Sequence, residues 1–129
     1  MSYFISKDFT GTTVTAMRLK VEDALKTEGF GVLTEIDIQA TMKKKLDKDY
    51  LPHLILGACN PLFADKVLAV DQHISLMLPC NVTIRQLENE AIEVAIINTL
   101  EAMKVIANPA VENYANEINE KLNRVLANI

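Results

Sequence analysis

Two hydrophobic periodicities follow one another along the chain and predict a series of strands and helices. Apolar residues recur every three or four positions from Val14 to Leu25 and from Val111 to Ile129, as in amphipathic helices. Short runs that alternate with period two, or that are apolar throughout, predict strands. The predicted strands are residues 3–8, 32–36, 53–58, 73–78 with 82–87 beyond Pro79, and 91–97, and shorter helices are predicted at 37–46, 60–71 and around 100–105.

Capping residues mark several boundaries between these elements. Asn60-Pro61 and Asn108-Pro109 each place an N-cap asparagine before a proline at the first helical position. Gly29 lies where the first helix should end. The resulting order is β-α-β-(α)-β-α-β-β-α, and its final hairpin argues against an all-parallel sheet. We therefore predict one α+β domain over residues 1–129, with a mainly antiparallel sheet backed by helices.

Composition and charge narrow the class of protein. Half of the 129 residues are hydrophobic and 23% are charged, which is enough apolar material for a real core. The formal net charge of -4 argues against a nucleic-acid partner, since phosphate contacts need a basic face. Two cysteines are too few for a disulfide scaffold and suggest a reducing compartment. The chain starts without a signal-peptide pattern and has no apolar run of membrane-spanning length, so we expect a cytoplasmic protein without a membrane partner.

Two Cys-Asn dipeptides are the strongest candidates for chemistry. Cys59-Asn60 lies where a strand ends before a helix, and Cys80-Asn81 follows the break at Pro79. Backbone amides and the dipole at a helix N-terminus favour a thiolate and would lower the pKa of Cys59. If the two strands are neighbours, both cysteines face one cleft. The structural alternative is that the cysteines are buried, Asn60 is a helix cap and Pro79 marks a bulge.

Other residues offer weaker signals. The sequence contains no phosphate loop, no dinucleotide glycine motif and no metalloprotease histidine pair. His53 and His73 have no metal-ligating neighbour at short spacing and are expected to be ordinary strand-edge residues. Glu35 and Asp37 share one face of a strand, which suits acid–base or metal chemistry, but Asp37 is equally suited to cap a helix. No catalytic residue is assigned, and whether the protein is an enzyme stays open.

Several short segments of the chain follow the pattern of one known family, namely Gly29–Asp37, Lys45-Leu46, Pro52, Ile55–Pro61 and Leu78–Val82. Together these segments resemble the DUF302 family of domains of unknown function. The resemblance implies a small α+β domain with an antiparallel sheet backed by helices, and a tendency to form dimers. It supplies no reaction. The family's recurrent residues fall on Asp37, Gly57, Cys59, Asn60, Pro61, Pro79, Cys80 and Asn81.

These observations lead to one main hypothesis and three alternatives. We expect a homodimer with a small polar pocket at strand ends, binding a small molecule or an anion, the latter at the helix amides after Asn60. The first alternative is thiol redox or sulfur transfer, with Cys59 reactive and Cys80 as its resolving partner. The second is metal or haem binding by the thiols with His53 or His73, and the third is a purely structural role. The expected ligand-binding residues are Asp37, Cys59, Asn60, Cys80 and Asn81.

Overall fold

Five strands and five α-helices make up the fold of this protein, whose computed structural model describes residues 2–129. Two short 3₁₀ helices, Gln72–Met77 and Lys104–Ile106, connect some of them. None of the helices within residues 2–129 is long and apolar enough to cross a bilayer. The elements are β1 (Phe4–Phe9), α1 (Val14–Thr27), β2 (Gly31–Asp37), α2 (Ile38–Leu46), β3 (His53–Cys59), α3 (Pro61–Val70), β4 (Cys80–Gln86), β5 (Ile92–Ile97), α4 (Thr99–Met103) and α5 (Pro109–Ala127).

The strands form one sheet in the order β1-β5-β4-β3-β2. Every neighbouring pair is antiparallel, which confirms the predicted α+β class. Strands β3 and β4 are neighbours near the middle of the sheet, and Ala58 at the end of β3 lies opposite Cys80 at the start of β4. The two Cys-Asn dipeptides therefore meet at one end of the sheet.

The two faces of the sheet differ in burial. Along β4 and β5, buried residues such as Val82, Ile84 and Val94 alternate with more exposed ones. Helices α1 and α5 pack against the buried face and complete the core. We call the opposite side the uncovered face, and on β1, β3, β4 and β5 its exposed or half-buried residues are Phe4, Ser6, Asp8, His53, Ile55, Asn81, Thr83, Arg85, Glu93, Ala95 and Ile97.

Both long helices begin or end as the sequence predicts. The Asn108 side chain accepts hydrogen bonds from the amides of Ala110 and Val111 at the start of α5. Gly29 follows α1 with a φ of 85°, and the Phe30 amide reaches back to the Leu25 carbonyl at 3.0 Å. The apolar stripe of α5 is buried inside the chain and forms part of the core.

The predicted strand over residues 73–78 is wrong, because this segment forms the 3₁₀ helix Gln72–Met77. The Asp71 side chain accepts a hydrogen bond from the His73 amide at 2.9 Å and turns the chain at this point. Only Ile74 is buried, while Leu76 is 84% exposed. A short apolar run without period two resembles a buried strand in the sequence, which explains the error. Consequently Cys80-Asn81 opens a strand and does not interrupt one.

Candidate functional site

Three of the predicted site residues meet at a small cavity at one end of the sheet. Cys59, Asn60 and Cys80 line it, together with apolar side chains from β3, α3 and α5. The cavity has a volume of about 20 Å³, which is room for a single water molecule. The two cysteines therefore meet at one cavity, but that cavity is mostly apolar and too small for a metabolite.

Burial keeps both cysteine thiols protonated at neutral pH. Burial, and to a smaller extent the charge of the neighbouring Cys59, raise the pKa of Cys80 from 9.0 to about 12. Burial also raises the pKa of Cys59, so the shift is opposite to the one expected beside a helix N-terminus. Both thiols are free. They pack here as small apolar groups, which does not favour the thiolate that redox or sulfur-transfer chemistry requires.

Asn60 lies at the predicted N-cap position of α3, but its side chain serves another purpose. Within the described residues it makes no capping hydrogen bond. Its Nδ2 instead donates to the backbone carbonyl of Glu28 at 3.3 Å. This contact ties the end of α1 to the start of α3, and it passes close to Gly29, where a Cβ would lie 3.2 Å from Nδ2. Asn60 is therefore a structural link between two helices.

Asp37 and Asn81 lie away from the cavity, so the five residues do not form the single pocket that the sequence predicts. Asp37 is opposite Leu54, five residues along β3 from Cys59, or about 17 Å. Its side chain accepts a hydrogen bond from the Ala40 amide at 2.9 Å and caps α2. Asn81 follows the buried Cys80 on a strand, so its side chain points to the uncovered face.

Asn81 instead lines a larger groove on the uncovered face. The groove has a volume of about 370 Å³ and crosses the strands β3, β4 and β5. At one end, Arg85 lies opposite both His53 and Glu93, and its Nε donates to Glu93 Oε1 at 2.8 Å. The lining residues are Tyr3, Phe4, His53, Asn81, Thr83, Arg85, Glu93, Ala95, Ile96 and Ile97.

An aromatic pair forms the other end of the groove. Tyr3 and Phe4 contact each other edge to face, with ring centroids 5.0 Å apart. Phe4 lies opposite Ile97, and the Tyr3 carbonyl accepts a hydrogen bond from the Asn98 amide at 2.7 Å. This backbone contact holds the aromatic wall against the end of β5. Thr83 and Ala95 lie between the two ends, and their small side chains leave the space that the groove occupies.

The polar end of the groove carries one ion pair and neutral hydrogen-bonding groups. The side chains of Arg85 and Glu93 are 44% and 18% exposed, so the guanidinium is the more accessible partner. Burial and the nearby Arg85 charge lower the pKa of His53, and Glu93 only partly opposes them. His53 is therefore a neutral imidazole at pH 7, able to donate and accept hydrogen bonds.

His53 lies too far from the two cysteines to share a metal or a haem with them. His53 is six residues along β3 from Cys59, or about 20 Å. His73 is exposed and pairs with Asp71 at 3.5 Å. Across residues 2–129, no three His, Cys, Asp or Glu side chains are placed to hold a metal ion.

The sequence reasoning missed Arg85, Glu93 and the aromatic pair as site residues. The alternation in residues 82–87 and 91–97 already places Arg85 and Glu93 on the polar faces of their strands. The missing information was the register of the hairpin, which pairs these two residues directly.

Comparison with known proteins agrees with the fold described above. The family described as "Domain of unknown function DUF302" matches residues 5–129. A crystal structure described as an uncharacterized conserved protein DUF302 from Bacillus stearothermophilus is similar, with a TM-score of 0.91 at 26% identity, covering 99% of this chain and 98% of that one. No curated protein matches the chain. A family match over nearly the whole chain is decisive: the protein belongs to the DUF302 family of domains of unknown function.

Proposed function

We propose that the protein binds a small organic molecule in the groove on the uncovered face of its sheet. The observation that carries this proposal is the convergence of polar side chains and an aromatic wall on one concave surface. Ligand sites are typically mostly apolar clefts of about 300–1,000 Å³ with a few placed polar groups. The groove, at about 370 Å³, has this size and this mixture.

The predicted site residues take different parts in this proposal. Asn81 of the second Cys-Asn motif lines the groove and would contact the ligand. Cys59, Asn60 and Cys80 hold the end of β3, the start of α3 and the start of β4 together. Asp37 starts α2 at the opposite end of β2. The motif residues thus support the sheet that carries the groove.

Filling the groove should abolish binding. Ala95 lies in its floor and is half-buried, so the change Ala95→Leu would place a larger side chain in the ligand space. The probe is 3-phenyl-1-propanol, titrated into ¹⁵N-labelled protein while amide shifts are followed. For the natural chain we expect shifts on β4 and β5 and a Kd of about 1 mM or tighter.

The control is Ala16→Leu, at an exposed position of α1, the helix that packs on the other side of the sheet. It should leave the probe-induced amide shifts unchanged, while Ala95→Leu should remove them. Amide shifts that survive in Ala95→Leu, or that centre on other elements, would overturn the groove as the binding site.

We also propose that the protein is a homodimer that pairs through β2. This strand forms an edge of the sheet, and edge strands present backbone N–H and C=O groups to a partner. Beside it, α2 buries none of its own side chains. Leu33 and Leu46 are 66% and 60% exposed. A second copy, related by a two-fold axis, would cover these apolar residues and extend the sheet.

The two edges of the sheet differ in how they carry charge. The β1 edge has Lys7 and Asp8, both exposed, and charges of this kind discourage strand pairing. The two acidic residues of β2 are engaged within the chain, Glu35 with Arg18 and Asp37 as the cap of α2. The β2 edge is therefore the better candidate for pairing, and it leaves the groove open.

A charge on the β2 edge should dissociate the dimer. Leu33→Lys would bring two lysines together across the two-fold axis, so we expect light scattering after gel filtration to report a monomer. The control Leu76→Lys, at a residue that is 84% exposed, should keep twice the mass of one chain. A monomeric natural protein at about 100 µM, a concentration that would saturate any dimer with a Kd below about 10 µM, would contradict this proposal.

We further propose that the protein works in a reducing compartment, the cytoplasm. Its two cysteines are both free thiols, the state that cytoplasmic reductants maintain. Their packing into a small apolar cavity favours a structural role over thiol chemistry.

A further inference from the structure

We infer that the ligand is an uncharged molecule about 10 Å long, with an aromatic ring at one end and an amide-type head group at the other. This inference rests on the proposed groove and deepens it. The ring would lie against Tyr3 and Phe4, and the head group would meet Arg85 and Glu93. An amide-type group carries a hydrogen-bond donor beside an acceptor, which is what the charged end of the groove requires.

The charges at this end select a neutral head group. Arg85 and Glu93 already neutralise each other through their hydrogen bond, and each keeps further hydrogen-bonding atoms. Asp8 lies opposite Glu93 on β1, so an anion approaching Arg85 would also face two carboxylates. A cation approaching Glu93 would face the more exposed guanidinium first.

Hydrogen-bonding capacity points to the same class of head group. A carbonyl oxygen accepts from the outer N–H groups of Arg85, and an N–H donates to the free carboxylate oxygen of Glu93. His53 lies opposite Arg85, and its lowered pKa favours the neutral imidazole, so it pairs with an uncharged polar group without introducing a charge.

The spacing of the two ends sets the length of the ligand. Glu93 and Ile97 are four residues apart on β5, or about 13 Å, and Phe4 lies opposite Ile97. The floor between them includes Thr83 and Ala95, which leave room for a short linker. A single ring would contact only one end, whereas a ring with a two- or three-atom linker reaches both.

Three probes of one shape test the inference: 3-phenylpropanamide, 3-phenylpropanoate and 3-phenylpropylammonium, titrated at pH 7.5 with amide shifts as the readout. They share the ring and the linker and differ in head-group charge. We expect the amide to bind at least fivefold more tightly than either ion. We also expect little change in its Kd between 50 and 500 mM NaCl, because no net charge is screened.

Two charge-removing variants make the test reciprocal. Glu93→Gln leaves Arg85 without its counter-charge, so preference should move to the carboxylate by about tenfold. Arg85→Gln leaves Glu93 unpaired, so preference should move to the ammonium. Both positions lie on the uncovered face. Circular dichroism and thermal unfolding serve as the control that each variant is folded.

The outcomes separate this inference from the proposed function. Tightest binding of either ion by the natural chain, or no change of preference in the variants, overturns the inference and leaves the groove as a binding site. No binding of any of the three probes, together with no effect of 3-phenyl-1-propanol, overturns both.

Discussion

Replacing Gly57 by alanine should lower the free energy of unfolding by about 3 kcal/mol, because the added methyl group has no space. Gly57 lies between Leu56 and Ala58, which face the core, so its Cβ would point to the uncovered face. There it would overlap Thr34 Oγ1 and lie 2.7 Å from Pro79 Cγ. Thermal unfolding followed by circular dichroism should show a Tm lower by roughly 10 °C.

A second glycine of the same sheet provides the control for Gly57→Ala. A Cβ on Gly31 would meet nothing within 4 Å, so Gly31→Ala should change stability by less than about 0.5 kcal/mol. In a Thr34→Ala background, Gly57→Ala should cost less, since one of its two clashes is gone. Equal losses for Gly57→Ala and Gly31→Ala would show that packing over Gly57 is not the cause.

Alkylation of Cys80 should be about a thousandfold slower in the folded protein than in the unfolded chain. Only the thiolate reacts, and burial raises the pKa of Cys80 from 9.0 to about 12. At pH 8 this change reduces the thiolate fraction from about one in ten to about one in ten thousand. Iodoacetamide labelling with and without guanidinium, followed by mass spectrometry of each cysteine peptide, measures the ratio.

Cys59 serves as the internal reference for this labelling. It is only half-buried, so the folded protein should label Cys59 faster than Cys80, while the unfolded chain labels both at similar rates. If native Cys80 reacts within tenfold of its unfolded rate, the thiol is accessible and ionised. Thiol redox or sulfur transfer would then replace a packing role for the two cysteines.

Most of the fold follows from local patterns in the sequence. The stripe of α5 and the Asn108-Pro109 cap are local signals of a helix, and the structure confirms both. The segment 73–78 shows where such signals fail, because an apolar run without alternation suits a strand or a short helix equally well. Its conformation depends on Asp71, whose side chain binds the His73 amide, and on burial of Ile74.

The site was less predictable than the fold, because it depends on pairing between distant parts of the chain. Whether the two Cys-Asn dipeptides meet depends on the order of the strands, and the sheet places them side by side. Successive side chains on a strand point to opposite faces of the sheet, so Asn81 lies on the uncovered face while Cys80 is buried. The prediction treated the two residues as one unit and therefore placed both in one pocket. The contact between Arg85 and Glu93 depends on strand register, and the aromatic wall depends on where the N-terminal strand joins the sheet.

The opposite orientations of Cys80 and Asn81 bear on how relatives of this protein should be compared. Adjacent residues on a strand are under different selective pressures when one packs in the core and the next lines a groove. A cysteine shared at position 80 therefore indicates a shared core, whereas an asparagine shared at position 81 indicates a shared groove lining. If the groove binds a ligand as we propose, differences in specificity between relatives should lie at its other lining positions, among them Arg85, Glu93 and Tyr3.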